Sequence, residues 1–400
     1  VANGVSPVLE KSGQAALPPD FAPPVQRYYA QSKRLHRRSF SIGIKENMAM
    51  PRPVRVLVLG TGQMGSGIAR LVAAKTGLEL VGAFARRAER GGADLGEVLG
   101  ISLHPALSVS ADLDESIRQA QPDVAIQATC SRLEDALGEI NTLVRSGVRV
   151  ISIAEQMAWP AAASPQRARD LHRLAHDNGA AVLGTGINPG FVLDLLIIAL
   201  SGVCFDIRSI RARRVNDLSP YGPSVLQTQG VGLSPEAFRS GLEDGTVVGH
   251  FGFAESIHMI AAAVGWEIER VEETREPILS NVRRETSFVT VEPGQVAGCR
   301  HTAVAYRDGE VAISLTHPQQ IHPGAEGLET GDYIEILGTP EVKLSGSPEI
   351  PGGQGTVALA VNMIPRVMAA APGLYSMADL PVPAALLGDA ATGPASPWRE

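Results

Sequence analysis

The stretch Val54-Arg55-Val56-Leu57-Val58-Leu59-Gly60-Thr61-Gly62-Gln63-Met64-Gly65 decides the fold of this chain. Its first six residues are Val and Leu interrupted only by Arg55, the pattern of a strand buried on both faces. The run passes directly into G-x-G-x-x-G, and helix-compatible residues follow. Gly60 suits the tight turn, Gly62 lets backbone N–H groups approach a pyrophosphate, and Gly65 lets the helix close on the strand. The loop as a whole, with Thr61, Gln63 and Met64 between the glycines, would hold the anion at the helix N-terminus, where free N–H groups and the helix dipole favour it. A second strand pattern on schedule, at 78–85, separates this motif from a glycine-rich turn without a ligand.

Outward from the loop, strand-like segments at 124–128, 148–154 and 180–184 alternate with helical stretches at 66–75, 133–146 and 164–178. The last of these opens on Ser164-Pro165, a good helix start. Alternation of this kind implies a doubly wound parallel sheet, a Rossmann-type α/β domain over 51–190. After Cys204 the texture changes. Strand patterns at 207–215, 288–291, 301–307, 311–316 and 333–337 are punctuated by Arg307-Asp308-Gly309 and Thr330-Gly331-Asp332. They predict a second α+β domain over 191–355 with a mainly antiparallel sheet and few helices. In the final segment, 356–400, a helix around Pro365 is expected to pack back on the first domain, with a frayed tail after it. Residues 1–50 hold Pro18, Pro19, Pro23, Pro24 and the cluster Lys33-Arg34-Leu35-His36-Arg37-Arg38 without a hydrophobic period. They read as a disordered extension, from an overextended start rather than a transit peptide, because Met48 and Met50 stand just before the first strand.

Composition narrows the function. Of 400 residues, 44% are hydrophobic and 19% charged, the balance of a soluble chain with a real core. A net charge of −7 and 4% aromatics leave no footprint for nucleic acid. Cys130, Cys204 and Cys299 form no C-x-x-C pair, which fits a reduced, cytoplasmic protein without a zinc site. The apolar run 191–203 is broken by Asp194 and falls short of the ~20 residues of a membrane span, so it reads as a buried helix. His172 and His176 have ligand spacing but no third partner, and His317 and His322 bracket a Pro-containing loop. Neither pair reads as a metal site. H-E-x-x-H, G-x-S-x-G and a Walker A lysine are all absent from the sequence, which removes hydrolase and kinase readings.

At the end of the second strand, where an NAD-selective site usually carries an acid, stand Arg86 and Arg87. Two guanidiniums there suit a 2′-phosphate and predict NADP in preference to NAD. The alternative is a solvated basic loop shared with Arg90. Ligands of open α/β sheets gather beyond the carboxyl ends of the strands, which here deliver Ala128-Thr129-Cys130-Ser131, Ala154-Glu155-Gln156 and Gly184-Thr185-Gly186-Ile187-Asn188-Pro189-Gly190. Glu155 is the carboxylate among them. Placed in a cleft it can stabilise an iminium and, if burial raises its pKa, shuttle protons. Its structural alternative is a helix-start glutamate bonded to backbone N–H groups.

Together, Val58–Gly65, Ile151-Ser152-Ile153-Ala154-Glu155-Gln156-Met157 and Gly184–Phe191 resemble the 2,4-diaminopentanoate dehydrogenase family, which includes native amine dehydrogenases and shares its layout with dihydrodipicolinate reductases. Gly249-His250-Phe251-Gly252-Phe253-Ala254-Glu255-Ser256, Val361-Asn362-Met363-Ile364-Pro365, Ala371-Pro372-Gly373-Leu374 and Asp379-Leu380-Pro381 extend the likeness over about 54–385. The resemblance implies an NAD(P)-dependent oxidoreductase that interconverts a primary amine and a carbonyl plus ammonia. Glu155 takes the family's active-site glutamate position, although Gln156 stands where many members carry a second glutamate. Asn188 and Asn362 are expected near the cofactor, together with Thr129. Arg213, Asp217 and Tyr221 are expected in the substrate pocket.

Two other readings remain open at this level. One is a reductase of a preformed C=N or C=C bond, and the other is a dinucleotide-binding regulator without catalysis. Family likeness alone suggests a homodimer through the antiparallel sheet.

Overall fold

A computed structural model describes residues 52–391, so the expectation for the first fifty residues lies outside the described part. The opening strand β1 (Val54–Leu59) and helix α1 (Gln63–Ala74) flank the glycine loop as the motif requires. Val56 to Leu59 have no exposed surface, as a central parallel strand demands. Helix α1 buries Gly65, Ser66, Ile68, Ala69 and Val72, one stripe at helical spacing. The chain continues through β2 (Leu78–Phe84), α2 (Leu95–Leu99), β3 (Val109–Ser110), α3 (Leu113–Ala120), β4 (Val124–Gln127), α4 (Leu133–Arg145), β5 (Arg149–Ser152), α5 (Pro160–Ala163), α6 (Pro165–Asp177) and β6 (Ala181–Gly184). Helix α6 starts as its sequence predicts, with the Ser164 side chain accepting from Arg167 N and Pro165 in the first turn.

Beyond β6 come α7 (Leu195–Ser201), β7 (Asp206–Asp217), α8 (Pro223–Thr228), α9 (Pro235–Asp244), α10 (Phe253–Val264), β8 (Arg270–Leu279), β9 (Arg284–Glu285) and β10 (Thr290–Val291). The chain closes with β11 (Val296–Arg307), β12 (Glu310–Gln320), β13 (Gly331–Thr339), β14 (Val342–Gly346), α11 (Gly352–Asn362), α12 (Ile364–Ala369) and β15 (Gly373–Tyr375). Of the apolar run 191–203, only Leu195–Ser201 is helical, and it is half-buried, with Leu195 and Ile197 inside; Asp194 opens it, its carboxylate accepting from Gly190 N and Leu195 N. No described helix is long and apolar enough to cross a membrane.

Two sheets carry the architecture. The first is parallel throughout, in the order β15-β6-β5-β4-β1-β2-β3. The second runs β14-β13-β7-β12-β11-β8 and is antiparallel except where β7 and β12 lie parallel. The fold is thus the doubly wound α/β layer plus a second, mainly antiparallel α+β layer. Three helices between β7 and β8 make that second part richer in helix than its sequence suggested.

The expected helix around Pro365 is real but divided at Met363, with Pro365 in the first turn of α12, where its missing N–H costs nothing. The segment after it does not simply trail off. Residues 373–375 add an edge strand to the first sheet, and Ala390 N donates to Thr76 O. Residues 392–400 lie outside the described part.

Helix α11 returns against α1 at close range. A Cβ placed on Gly67 would stand 2.9 Å from Val357 Cγ2. Leucine has far better helix propensity than glycine, yet Gly67→Leu should lower stability by about 1–3 kcal/mol through overpacking. A thermal melt with a Tm at or above that of the unaltered protein would contradict this packing.

Candidate active site

Both sheets send strand ends to one cleft of about 420 Å³. From the first sheet come Gln63 and Met64 of the glycine loop, Ser131, Glu155 and Asn188. The loop is built for close approach. Gly60 has φ +109° and a Cβ there would sit 2.5 Å from Ala128 O, while a Cβ on Gly65 would collide with Gly60 O. Around Gly62 nothing lies within 4 Å of that position, which leaves open space before the helix. Helix α1 has no side-chain cap and no acid in its first turn. Its unpaired N–H groups therefore fit the pyrophosphate of a nicotinamide dinucleotide, and the cradle matches that group. Thr61 lends its carbonyl to Ser66 Oγ at 3.2 Å within this turn.

Glu155 opens a single 3₁₀ turn, Glu155–Met157, directly after β5. Gln156, the next residue, holds this turn in place. Its N–H donates to Ser131 O at 3.2 Å and its Oε1 accepts from Leu133 N at 2.8 Å. Glu155 lies deep in the cleft wall, crowded by protein but reached through the mouth. Burial raises its pKa, opposed by the turn's own N–H and by the Ser131 hydroxyl. A second buried acid, Glu255 in the first turn of α10, is pushed up to about 7 by burial, with Glu273 and Glu155 adding repulsion.

The opposite wall comes from the second sheet. Along β7, Ile210 and Ala212 face the core, and the same face continues as Arg214 and Asn216. Along β12, Ile313 and Leu315 are followed by His317 and Gln319. Because β7 and β12 are parallel, both polar ends reach the cleft together. Arg214 is buried and paired with Asp332 Oδ1 at 2.5 Å and Ile350 O at 2.5 Å. His250, from the loop before α10, meets His317 edge to face with ring centroids 4.8 Å apart. Burial holds both imidazoles well below their ordinary pKa, with neighbouring His and Arg charges adding to it, so both are neutral. The Asn188 amide donates to His317 Nδ1 at 3.3 Å, which leaves Nε2–H of His317 as a donor.

This wall is polar and unsatisfied. Among the described residues, seven buried side-chain polar atoms lack a partner, and six of them belong to cleft residues: Asn188, Asn216, Gln229, His250, His317 and Gln319. Unpaired buried polar groups cost about 1–3 kcal/mol each, so such a cluster marks where a polar ligand supplies the missing bonds.

Several expected site residues lie elsewhere. Arg213 faces away from the cleft, exposed, with its guanidinium 4.6 Å from the Tyr333 ring centroid. Alternation along the strand puts Arg214 in its place. Asp217 closes a turn, accepting from Ser219 N, Ser219 Oγ and His322 N. Asn362 is a tie for the C-terminal segment, its Oδ1 accepting from Leu386 N at 3.2 Å. Tyr221 does line the cleft, beside Gly352 and Gly353, and burial raises its phenol.

Thr129 lies beside the glycine loop and donates to Glu139 Oε2 at 2.5 Å. Arg86 is held by the same carboxylate, Nε to Glu139 Oε1 at 2.6 Å, and by Asp135 O at 2.6 Å. Arg87 beside it is exposed. His172 accepts from Leu374 N and His176 meets Asp177, and the described residues hold no metal-ligand cluster.

Comparison with known proteins agrees with this layout. Residues 191–394 match the family model of the 2,4-diaminopentanoate dehydrogenase C-terminal domain, and residues 54–152 that of the dihydrodipicolinate reductase N-terminus. A 2,4-diaminopentanoate dehydrogenase of Acetoanaerobium sticklandii is 42% identical over 346 residues, covering 84% of this chain and 96% of that protein. An amine dehydrogenase of Streptomyces virginiae is 28% identical, covering 82% and 96%. The solved amine dehydrogenase of Mycobacterium smegmatis superposes with a TM-score of 0.73 at 27% identity, covering 82% and 96%.

The raised pKa of Glu155 has a stability consequence. A carboxyl whose pKa is higher folded than unfolded stabilises the fold at low pH, and that contribution is lost as pH rises above the ordinary carboxylate range. Glu155→Gln should therefore raise Tm by a few degrees at pH 8 and by less at pH 5. A gain independent of pH between these values would show that the carboxyl is not strained by burial.

Proposed function

The chain belongs to the 2,4-diaminopentanoate dehydrogenase family, and from that membership we propose that it is an NAD(P)-dependent oxidoreductase that interconverts a small primary amine with its carbonyl and ammonia. The substrate class is a polar one, an amino-ketone or diamino acid. The observation that carries this reading is the cluster of unsatisfied polar atoms on β7, β12 and the His250 loop, set across the cleft from Glu155. An apolar amine would leave those atoms unpaired. A substrate bearing a carboxylate or a second amine pairs them and is fixed in orientation, which lowers the entropic part of the barrier.

A nicotinamide dinucleotide seated on residues 60–65 supplies the hydride acceptor or donor. The rest falls to the protein. Glu155 as a carboxylate stabilises the cationic iminium of the substrate, an interaction strengthened by the crowded cleft. Glu155 as a carboxylic acid gives a proton to the hydroxyl of the carbinolamine, so that water leaves. Burial raises the pKa of this carboxyl above that of an ordinary glutamate, which favours the proton-donating form. The neutral imidazoles of His250 and His317 bind without adding positive charge that would repel the iminium.

The cofactor reading is NADP in preference to NAD. Glu139 and the Asp135 carbonyl occupy two edges of the Arg86 guanidinium, so Arg87 is the cation left to meet a 2′-phosphate. As for assembly, a homodimer through the second sheet fits its outer face, where Arg213 stacks on Tyr333 and Arg270 on Tyr306. Arginine and aromatic residues are enriched at such interfaces.

The test is reduction of 2-amino-4-oxopentanoate and 4-oxopentanoate with NADPH, with and without ammonium. Cofactor oxidation should require ammonium, and Glu155→Gln should lower kcat about 10²- to 10⁴-fold with cofactor affinity unchanged. Turnover without ammonium would contradict amine formation. Arg87→Ala should reduce kcat/KM for NADPH about tenfold, the loss of one charge-assisted bond, and leave NADH nearly unaffected. Equal losses with both cofactors would overturn the NADP preference.

A further inference from the structure

The loop that carries His250 into the cleft is held by its backbone, from the cleft side by Gln229 and from behind by Arg275 and His301. Arg275 Nε donates to Val248 O at 2.7 Å, Gln229 Nε2 donates to Gly249 O at 2.7 Å, and His250 N donates to His301 Nδ1 at 3.0 Å. His301 has no exposed surface, and it stands on β11 behind the loop. Its Nε2 lies 3.1 Å from Glu273 Oε2 on β8. The approach is tight. Gly249 has φ +71°, and a Cβ there would sit 3.0 Å from His301 Nδ1.

We propose that Glu273 and His301 are a positioning pair for His250. A carboxylate at Nε2 requires the ring to carry its proton there, and that leaves the Nδ1 lone pair free to hold the His250 N–H. The other tautomer would set N–H against N–H at the loop and a lone pair against the carboxylate, so it is disfavoured at both ends. The pair thus fixes the backbone of His250, and with it the imidazole that meets His317 at 4.8 Å and presents an unpartnered Nε2 to the cleft. Arg275 closes the arrangement, since Nη2 bonds Glu273 Oε2 at 2.6 Å while Nε holds Val248 O. Neither Glu273 nor His301 lines the cleft. They act on substrate only through the loop.

This inference rests on the reading that the His250 wall binds the polar end of the substrate, and the two can fail separately. The experiment compares KM and kcat for 4-oxopentanoate, which has a carboxylate, and for 2-pentanone, which lacks one, in the holoenzyme with saturating NADPH and ammonium. In the unaltered protein 4-oxopentanoate should have the lower KM. Equal KM values there would overturn the substrate reading of the wall.

His301→Phe removes the acceptor and should raise KM for 4-oxopentanoate about tenfold, the cost of an unpaired N–H, with kcat changed less than about twofold. His301→Asn, whose Oδ1 can take the N–H of His250, should restore most of the affinity. Glu273→Ala, which leaves the fold's core untouched, should raise the same KM by a smaller factor. KM for 2-pentanone should move little in all three. If His301→Phe fails to fold, Glu273→Ala and His301→Asn still decide. A His301→Asn KM as poor as that of His301→Phe, a Glu273→Ala KM equal to that of the unaltered protein, or parallel losses in kcat for both ketones would overturn the positioning role.

Discussion

A glutamate side chain held in a crowded cleft at the end of a central parallel strand is the constraint on which the rest of this site depends. Desolvation is costly for a carboxylate, and here it is met by only a few donors, the turn's own N–H and the Ser131 hydroxyl. The protein keeps the group there by surrounding its backbone with firm contacts. Gln156 locks the turn to the loop after β4 and to the start of α4. Ser152 Oγ bonds Gln127 Oε1 at 2.5 Å beneath it and accepts from Ala154 N. Strain of this kind is characteristic of functional sites, where a local cost is offset by the packing around it.

The second sheet completes the site by a simple device. Its inner face is apolar for most of each strand and turns polar at one end. Arg214 and Asn216 continue the face of Ile210 and Ala212, and His317 and Gln319 continue that of Ile313 and Leu315. One exceptional parallel pair in an otherwise antiparallel sheet brings those two ends side by side. The returning helix α11 then closes the cleft from the first sheet's side, with Thr356 Oγ1 accepting from Ile187 N at 3.1 Å. Glycine loop, acid and polar wall are therefore tied together by the C-terminal segment as well as by the sheets.

Much of this was legible in the sequence because it depends on local rules. The glycine loop, its flanking strand and helix, and the position of Glu155 just after the strand-like run 148–153 all follow from periodicity and turn chemistry. What escaped depends on pairing across the chain. Arg213 and Arg214 are neighbours of one type, and only the phase of alternation in β7 says which one enters the cleft. That phase was available, since Ile210 and Ala212 set it. His317 looked like part of a proline-containing loop, whereas Pro318 lies within β12 and the strand runs on to Gln320. Asn362 sat in a motif block shared with the family, yet its amide oxygen serves the C-terminal segment. Edge strand β15 has three residues, too few for any periodic signal. The pairing of Arg86 with Glu139 joins residues 53 positions apart, which no local pattern reveals.

The most direct measurement is a crystal structure of the protein with NADPH and a non-reducible carboxylate analogue of the amino-ketone. The account expects the pyrophosphate on the amides that open α1, the Glu155 carboxyl beside the atom that replaces the reacting carbon, and the analogue's polar end bonded to His317, Gln319 and Asn216. A nucleotide seated away from residues 60–65, or an analogue whose polar end leaves that wall unpaired, would contradict it.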